Sequence, residues 1–263
     1  MYVIGERING MFKVVREALK NKDKKAIQDL AIKQMQAGSS ALDVNTGAEC
    51  EDQIAGMKWL IEAIQEVLPD VTLAIDSPKP VVLEAGLAIC KNRAIINSTT
   101  GEAKKLETLM PLAKKYNAMI IGVTISEKGV PSDSNGRIEI AANIVASAME
   151  HGVEPNDVFI DPVILPVNVA QQQCPEVLRA IAECKMISSP SPKTNLGLSN
   201  VSQGTKKRVL INRTYLVMAL SHGLDAAILD PLDNEIMDAV ITAELLLNKN
   251  IYCDSYLEAY RKK

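Results

Sequence analysis

Eight short apolar runs recur along the chain, and each of them ends in a polar side chain. They are Val3–Glu6, Ala41–Asn45, Leu73–Ser77, Ile95–Ser98, Ile120–Thr124, Val158–Asp161, Leu196–Asn200 and Ala226–Asp230. Strands buried on both faces of a parallel sheet have such continuous apolar sequences, and a (β/α)8 TIM barrel builds its active site from groups at the carboxyl ends of its strands. The pattern therefore predicts an α/β fold, a single (β/α)8 TIM barrel, and an enzyme.

The segments between these runs have the periodicity of amphipathic helices. Apolar residues recur at i, i+3, i+4 and i+7 in the ranges 54–68, 136–150, 175–186, 209–222 and 233–248. Pro175 and Pro231 suit first helical turns, and Gly152 and Gly223 suit helix ends. A chain of 263 residues, 47% of them hydrophobic, is large enough to bury one barrel core. We therefore expect one domain over residues 1–263.

A doubly wound parallel sheet also alternates strands and helices. Its nucleotide-binding form carries a glycine-rich turn between the first strand and the first helix. The corresponding segment of this chain, residues 5–10, reads Gly-Glu-Arg-Ile-Asn-Gly and matches neither GxGxxG nor the P-loop. Eight repeats without this fingerprint favour the closed barrel.

Composition and charge narrow the class of protein. The formal net charge is −3, whereas nucleic-acid-binding domains are usually basic, so no nucleic acid is expected as a partner. The chain does not open on a basic segment followed by a long apolar stretch, and no apolar run reaches membrane-spanning length. The five cysteines are widely spaced and odd in number, which indicates reduced thiols. These features predict a cytoplasmic protein without membrane association.

Three of the polar strand ends, Asp76, Asn97 and Asp161, would meet in one cavity of such a barrel. Two carboxylates and an amide there could bind a divalent metal, act as an acid/base pair, or hydrogen-bond a heterocycle with several N–H donors. Metal binding has the least support, because neither His151 nor His222 follows a strand. A structural alternative is that Asp76 and Asp161 only cap the helices that follow them.

A polar segment at 193–203 carries a family resemblance together with several shorter motifs. The segment reads Lys-Thr-Asn-Leu-Gly-Leu-Ser-Asn-Val-Ser-Gln. The shorter motifs are Ile4–Gly10, Asp76-Ser77, Ile96–Thr99, Ile160–Pro162 and Ile164–Pro166. In this order they closely resemble the methyltetrahydrofolate–corrinoid protein methyltransferases, members of a pterin-binding barrel family that also includes dihydropteroate synthase. The resemblance covers essentially the whole chain.

The resemblance implies a pterin site and a catalytic asparagine. The implied pterin-binding residues are Asp76, Asn97, Asp161, Gly197, Ser199, Gln203, Lys185 and Arg208. An ionised carboxylate can accept both the 2-amino group and a ring N–H of a reduced pterin. Asn200 matches the residue that reaches N5, where a hydrogen bond would help a poor amine leaving group as the C–N bond breaks. For Lys185 and Arg208, a solvent-facing or capping cation is the structural alternative.

The resemblance also implies the substrates and partners. The substrates would be tetrahydrofolate and 5-methyltetrahydrofolate, and the second methyl carrier would be a corrinoid on a separate protein, because the chain has no DxHxxG cobalamin motif. The Cys and His residues that would activate a thiolate acceptor on zinc are also missing, which argues against such an acceptor. The expected enzyme binds no metal on this chain. A homodimer that meets a corrinoid protein transiently is expected. Loops 126–136 and 203–208 are candidates for that contact.

Two alternative functions and the direction of the reaction stay open. A dihydropteroate synthase would end its last strand in Ser-x-Arg-x-His for a diphosphate substrate, whereas this chain has Ile-Leu-Asp-Pro at 228–231. A non-catalytic pterin-binding scaffold is the second alternative. For the methyltransferase, the methyl group could pass to the corrinoid, as in acetyl-CoA synthesis. It could also pass to tetrahydrofolate during demethylation of a small donor such as a betaine or a methyl ether.

Overall fold

One sheet of eight parallel strands forms the centre of the molecule in the computed structural model, which describes residues 1–253 and Tyr256. The strands are β1 (Tyr2–Asn9), β2 (Ala41–Asn45), β3 (Thr72–Asp76), β4 (Ile95–Thr100), β5 (Met119–Val123), β6 (Val158–Asp161), β7 (Lys193–Thr194) and β8 (Ala226–Leu229). Each strand pairs with the next along the chain as far as β7, and β1 also pairs with β8. This is the strand order of a TIM barrel.

The barrel closes between β7 and β8 through the residues that follow β7. The Asn195 N–H donates to the Ile160 carbonyl at 2.8 Å, and the Ile228 N–H donates to the Leu196 carbonyl at 2.9 Å. A parallel bridge also joins Gly197 to Ile228. The predicted single (β/α)8 TIM barrel is therefore confirmed.

The seventh strand lies earlier in the chain than the sequence pattern predicted. Its two strand residues are 193 and 194, and Leu198–Asn200 forms a 3-10 turn. Leu196 and Leu198 are fully buried in the apolar layer that also contains residues of the outer helices. The apolar character of Leu198 therefore reflects the packing of a tight turn, whereas Leu196 pairs with β8 through its carbonyl.

Helices lie between the strands and cover the outside of the sheet. Within residues 1–253 they are α1 (Lys13–Asn21), α2 (Lys24–Gln36), α3 (Gln53–Val67), α4 (Pro80–Leu87), α5 (Ala103–Lys115), α6 (Ser134–Glu150), α7 (Val167–Ala170), α8 (Cys174–Cys184), α9 (Arg208–Ser221) and α10 (Asn234–Leu246). The five predicted helices correspond to α3, α6, α8, α9 and α10. None of the helices in the described part of the chain is long and apolar enough to cross a membrane.

The predicted helix ends agree with the structure at all but one position. Pro175 lies in the first turn of α8, and Gly152 and Gly223 follow α6 and α9 with φ of +73° and +94°. Pro231 precedes α10 and does not belong to its first turn, so that prediction was wrong. The Asp233 side chain accepts the Glu235 N–H at 3.0 Å and begins the helix there.

The period of two residues in a strand builds two layers of side chains inside the barrel. The lower layer is apolar and contains Ile4, Ala41, Ala74, Ile95, Ile121, Phe159 and Ala226. In five of these strands a polar residue follows two positions later, on the same face and nearer the carboxyl end. The floor of the barrel is therefore a packed apolar core, and the polar groups above it face the open end.

Candidate functional site

The polar layer gathers five side chains at the carboxyl end of the barrel. They are Glu6 on β1, Asp43 on β2, Asp76 on β3, Asn97 on β4 and Asp161 on β6. Each follows an apolar inward-facing residue by two positions. The sequence prediction that Asp76, Asn97 and Asp161 converge agrees with this arrangement.

Two carboxylate–amide pairs connect β2, β3 and β4. The Asn45 Nδ2 donates to Asp76 Oδ2 at 2.7 Å, and the Asn97 Nδ2 donates to Asp43 Oδ1 at 2.8 Å. Burial raises the pKa of Asp43 well above its ordinary value, and the nearby Asp76 carboxylate raises it further. Burial also raises the pKa of Asp76, against the hydrogen bond from Asn45. Together these effects favour a neutral carboxyl at Asp43.

Asp161 is buried at the end of β6 and accepts three hydrogen bonds. The donors are the Val163 N–H at 2.9 Å to Oδ1, and the Gly197 N–H and Asn195 Nδ2, both at 2.9 Å to Oδ2. Burial raises the pKa of Asp161 to about 6, although these three donors oppose the shift. A carboxylate offers about four acceptor positions. One position on Oδ1 therefore stays open to a ligand.

The helix-capping alternative for Asp76 and Asp161 was wrong. Asp76 accepts from Asn45, and α4 begins after Lys79 without a side-chain cap. The Val163 N–H, which donates a hydrogen bond to Asp161, precedes α7 by several residues and belongs to a loop. Neither carboxylate therefore serves to begin a helix.

The 3-10 turn after β7 places Ser199 and Asn200 at the rim of this layer. The Ser199 hydroxyl lies 2.8 and 3.0 Å from the two carboxylate oxygens of Glu6 and donates its proton to them. Burial raises the pKa of Glu6 against this hydrogen bond. A Cβ on Gly197 would lie 3.1 Å from Asn200 Nδ2 and 3.9 Å from Asp161 Oδ2. Glycine at 197 therefore leaves open the space between the asparagine and the carboxylate.

Arg208 and Gln203 lie beside this turn on its outer side. The Arg208 Nη2 donates to the Ser199 carbonyl at 3.0 Å, and its Nε donates to Ser202 Oγ at 3.1 Å. The Gln203 N–H donates to the Asn200 carbonyl at 3.1 Å, and the Gln203 side chain is exposed. Arg208 therefore supports the turn from its first helical position in α9, and Gln203 lies next to the open mouth.

Lys185 does not lie with the other predicted residues. It follows α8 and forms an ion pair with Asp225, which directly precedes β8. Asp225 also accepts the Thr194 N–H at 2.7 Å. This pair is at the amino end of the barrel, opposite the polar layer. The expected pterin contact of Lys185 is therefore corrected to a structural ion pair.

Two buried oxygen atoms near Asp161 have no hydrogen-bond partner within the described residues. They are Asn195 Oδ1 and Thr124 Oγ1. Both side chains are fully buried, and Thr124 donates its backbone N–H to the Asp161 carbonyl at 2.9 Å. Buried polar atoms without partners are rare. Among the described residues, no group of His, Cys, Asp and Glu side chains is arranged to hold a metal ion.

Sequence reasoning did not assign Glu6, Asp43, Asn45 or Asn195 to the site. A usable signal was present for Glu6 and Asp43, because each stands two positions after an apolar residue of the barrel floor. For Asn45 and Asn195 the decisive information is the side-chain partner, which a single sequence does not contain.

Comparison with known proteins identifies the family of this barrel. Residues 11–230 match the pterin binding enzymes. The chain belongs to the pterin-binding enzyme family. It is 31% identical to the methylcorrinoid:tetrahydrofolate methyltransferase of Eubacterium limosum over an alignment that spans 100% of this chain and 97% of that protein. This confirms the family resemblance drawn from the sequence motifs.

Two further matches are to a part of a larger protein and to a solved structure. The chain is 31% identical to the methionine synthase of Mycobacterium tuberculosis over 86% of its length, but the match covers only 20% of that protein. The dihydropteroate synthase of Vibrio fischeri ES114 has a TM-score of 0.69 at 16% identity, over 95% of this chain and 94% of that chain. At this identity the structural likeness establishes the fold alone.

Proposed function

We propose that this pterin-binding enzyme is a methyltransferase that moves a methyl group between N5 of tetrahydrofolate and the cobalt of a corrinoid carried by a separate protein. The observation that carries the proposal is the full-length identity of 31% to a methylcorrinoid:tetrahydrofolate methyltransferase. The buried acceptor layer at the carboxyl end of the barrel supports it independently. Reduced pterins are rich in N–H donors, which match acceptors of this kind.

Asp76, Asn97 and Asp161 would bind the pterin ring. Asp161 has one acceptor position on Oδ1 without a donor among the described residues, and an ionised carboxylate suits the 2-amino group and a ring N–H. The Asn97 amide has both a donor and an acceptor and suits the mixed edge of the ring. Asp43 and Asn45 would fix the orientation of these groups through their direct hydrogen bonds.

Asn200 would act at N5. It is exposed on the 3-10 turn, and its Nδ2 borders the space left open above Gly197. In the transfer to tetrahydrofolate the N5 lone pair would form the bond to the methyl carbon as the bond from that carbon to the corrinoid breaks and leaves its electron pair on the cobalt, and N5 would release its proton to solvent. In the reverse transfer the reduced corrinoid would supply the electron pair for the new bond, and the C–N5 bond would break with its electron pair staying on N5, which would then take up a proton. A hydrogen bond from the Asn200 amide to N5 stabilises the developing charge in that direction.

Glu6 and Arg208 would hold the turn that carries Asn200. Glu6 binds the Ser199 hydroxyl from β1, and Arg208 binds the Ser199 carbonyl from α9. The turn is thereby fixed from inside and outside the barrel. A catalytic hydrogen bond loses much of its effect when its donor is displaced by about 1 Å, so this support matters for rate.

We propose that the working direction is from the methylcorrinoid to tetrahydrofolate. The relative that aligns over 97% of its length is named for that direction. A corrinoid protein, when bound, would supply the cobalt-bound methyl group at the open end of the barrel.

The five cysteines are all free, which supports the cytoplasm as the compartment. We also propose a homodimer, which the resemblance to the methyltetrahydrofolate–corrinoid protein methyltransferases implies.

The chemistry of the last strand disfavours a dihydropteroate synthase. Asp230 follows β8 at the rim and forms an ion pair with Arg7 at 3.3 Å. A carboxylate in this position would repel a diphosphate, and its arginine neighbour is already engaged. Methyl transfer requires no diphosphate site.

Product analysis tests the proposed function. The purified protein is incubated without oxygen with methylcobalamin and tetrahydrofolate, and 5-methyltetrahydrofolate is measured by chromatography. A parallel reaction contains a hydroxymethyl-dihydropterin diphosphate and 4-aminobenzoate. We expect methyltetrahydrofolate in the first reaction and no dihydropteroate in the second. Dihydropteroate alone would support the synthase, and folate binding without either product, also with the corrinoid partner present, would support a scaffold.

A further inference from the structure

Arg137 is the largest completely buried side chain among the described residues, and it lies on α6 directly behind the loop that follows β6. Its guanidinium donates three hydrogen bonds. Nε donates to the Pro162 carbonyl at 2.7 Å, Nη1 to the Asp133 carbonyl at 3.0 Å, and Nη2 to Gln173 Oε1 at 2.8 Å. All three acceptors are neutral, so the cost of burying this cation is not offset by a directly bonded carboxylate.

The bond to Pro162 reaches Asp161 through a single peptide unit. The Pro162 carbonyl and the Val163 N–H belong to the same planar peptide group. The Val163 N–H donates to Asp161 Oδ1 at 2.9 Å. Arg137 therefore holds the oxygen end of a peptide whose N–H end holds the carboxylate.

The backbone at Val163 needs such a restraint. Val163 has a φ of +58°, in the left-handed region that β-branched residues rarely adopt. Strained backbone of this kind persists when surrounding contacts determine it, and it is concentrated at functional sites. The guanidinium supplies that contact from inside the protein.

We propose that Arg137 is a positioning residue for the pterin site, and that through the Pro162–Val163 peptide it holds the Asp161 carboxylate in the orientation that binds folate. The proposal rests on the proposed function, because it takes Asp161 as a pterin ligand. Without the Nε donor the peptide is free to rotate, Val163 relaxes to a negative φ, and Asp161 loses one of its three donors. Lysine at 137 would keep the charge, but it lacks the fixed fork that reaches all three acceptors.

The pH dependence of folate binding separates this role from a purely structural one. The Val163 N–H is one of the groups that lower the pKa of Asp161, so its loss raises that pKa above about 6. Folate affinity that depends on the ionised carboxylate would then fall off at a higher pH. The charged and titratable groups that act on Asp161 or Arg137 are Tyr215 on α9, Asp133 before α6 and Glu176 on α8. All of them are unchanged in the variants below.

The test compares wild type, Arg137→Met and Arg137→Lys, with Arg93→Met as a matched control. Arg93 also donates an Nε–H to a carbonyl, that of Asn117 at 2.8 Å, and pairs with Asp157, but it lies at the amino end of the barrel. Tetrahydrofolate affinity is measured by anaerobic calorimetry across the acidic and neutral range. The melting temperature is measured by circular dichroism.

We expect Arg137→Met to weaken tetrahydrofolate binding by about tenfold or more at neutral pH, the size of one charge-assisted hydrogen bond. Its acidic loss of affinity should also begin at a higher pH than in wild type. Arg137→Lys should show a smaller change of both kinds, and Arg93→Met should lower only the melting temperature.

Folate affinity within about twofold of wild type in both Arg137 variants, with only the melting temperature reduced, would overturn the proposal. If Arg137→Met does not fold, Arg137→Lys decides by the same criterion. If wild type itself does not bind tetrahydrofolate, the proposed function fails first.

Discussion

Replacing Asp161 by asparagine is expected to separate folate binding from stability. At neutral pH the buried carboxylate destabilises the folded protein, because burial raises its pKa from 3.8 to about 6. A shift of this size corresponds to about 3 kcal/mol of lost stability. The side chain introduced by Asp161→Asn carries no charge, so the substitution removes this cost.

The substitution also breaks one hydrogen bond of the free protein. The single oxygen of an asparagine can still accept the Gly197 N–H and the Asn195 Nδ2, but its Nδ2 would then face the Val163 N–H. Two donors that face each other in a buried site cost roughly 1–3 kcal/mol. Gain and loss nearly cancel, so the unfolding free energy should change by less than about 2 kcal/mol.

Folate binding should fall although the unfolding free energy changes little. A hydrogen bond to a charged group contributes roughly 1.5–3 kcal/mol, so its loss would raise the Kd for tetrahydrofolate roughly 10- to 150-fold. The assays are urea unfolding of the free protein and anaerobic calorimetry with tetrahydrofolate. Asp157→Asn is the matched control, since Asp157 directly precedes β6 and Asp161 ends it. The control should leave the affinity unchanged.

The difference in stability between wild type and Asp161→Asn should depend on pH in one direction. The folded-state pKa of Asp161 is raised, so its protonation favours the folded state. Wild type should therefore gain stability relative to Asp161→Asn as the pH falls from neutral through about 6 towards 3.8. A Kd within about twofold of wild type would remove Asp161 from the site, and a stability difference that does not vary with pH would refute the buried-charge argument.

Further predictions concern the turn and the amino end of the barrel. Glu6→Gln and Ser199→Ala should each lower kcat with little change in folate Kd, because each loosens the turn that carries Asn200. In steady-state kinetics, the fold-decrease in kcat of the double variant should be smaller than the product of the two single fold-decreases. Lys185→Ala removes the ion pair with Asp225 far from the site, so chemical unfolding should show a loss of about 1 kcal/mol or less, and calorimetry should show unchanged folate affinity. A large rise in Kd in Lys185→Ala would return that residue to the site.

The strands and the site carboxylates were predictable because both depend on local patterns. Parallel strands buried on two faces need continuous apolar runs, and the polar residue after each run marks the open end of the barrel. The same logic would have included Glu6 and Asp43, which lie two positions above the floor residues Ile4 and Ala41. The apolar residue at 198 misled the strand prediction, because buried turns and buried strands are alike in hydrophobicity.

The two long charged side chains differ in how far the sequence could place them. Lys185 ends the helix predicted at 175–186, and a helix that leads into a barrel strand ends at the amino end of the barrel, so the predicted fold itself places Lys185 away from the site; its pairing with Asp225 agrees. The position of Arg137 was not predictable in this way. Arg137 has the sequence environment of a solvent-facing helical arginine, yet it is fully buried. Its three acceptors come from the loop after β6, the residue before α6 and the turn before α8, which are distant in sequence. Contacts between such segments arise only from the closed fold.

The most direct test of the account is the rate of methyl transfer at N5 in wild type and Asn200→Ala. Protein saturated with 5-methyltetrahydrofolate is mixed rapidly with Co(I) cobalamin without oxygen, and the decay of the Co(I) absorbance is followed through one turnover. If Asn200 acts at N5, the decay in wild type slows about 100-fold or more in Asn200→Ala, while the Kd for the folate changes by less than about threefold. Equal rates in the two proteins, or no decay in wild type despite bound folate, would contradict the account.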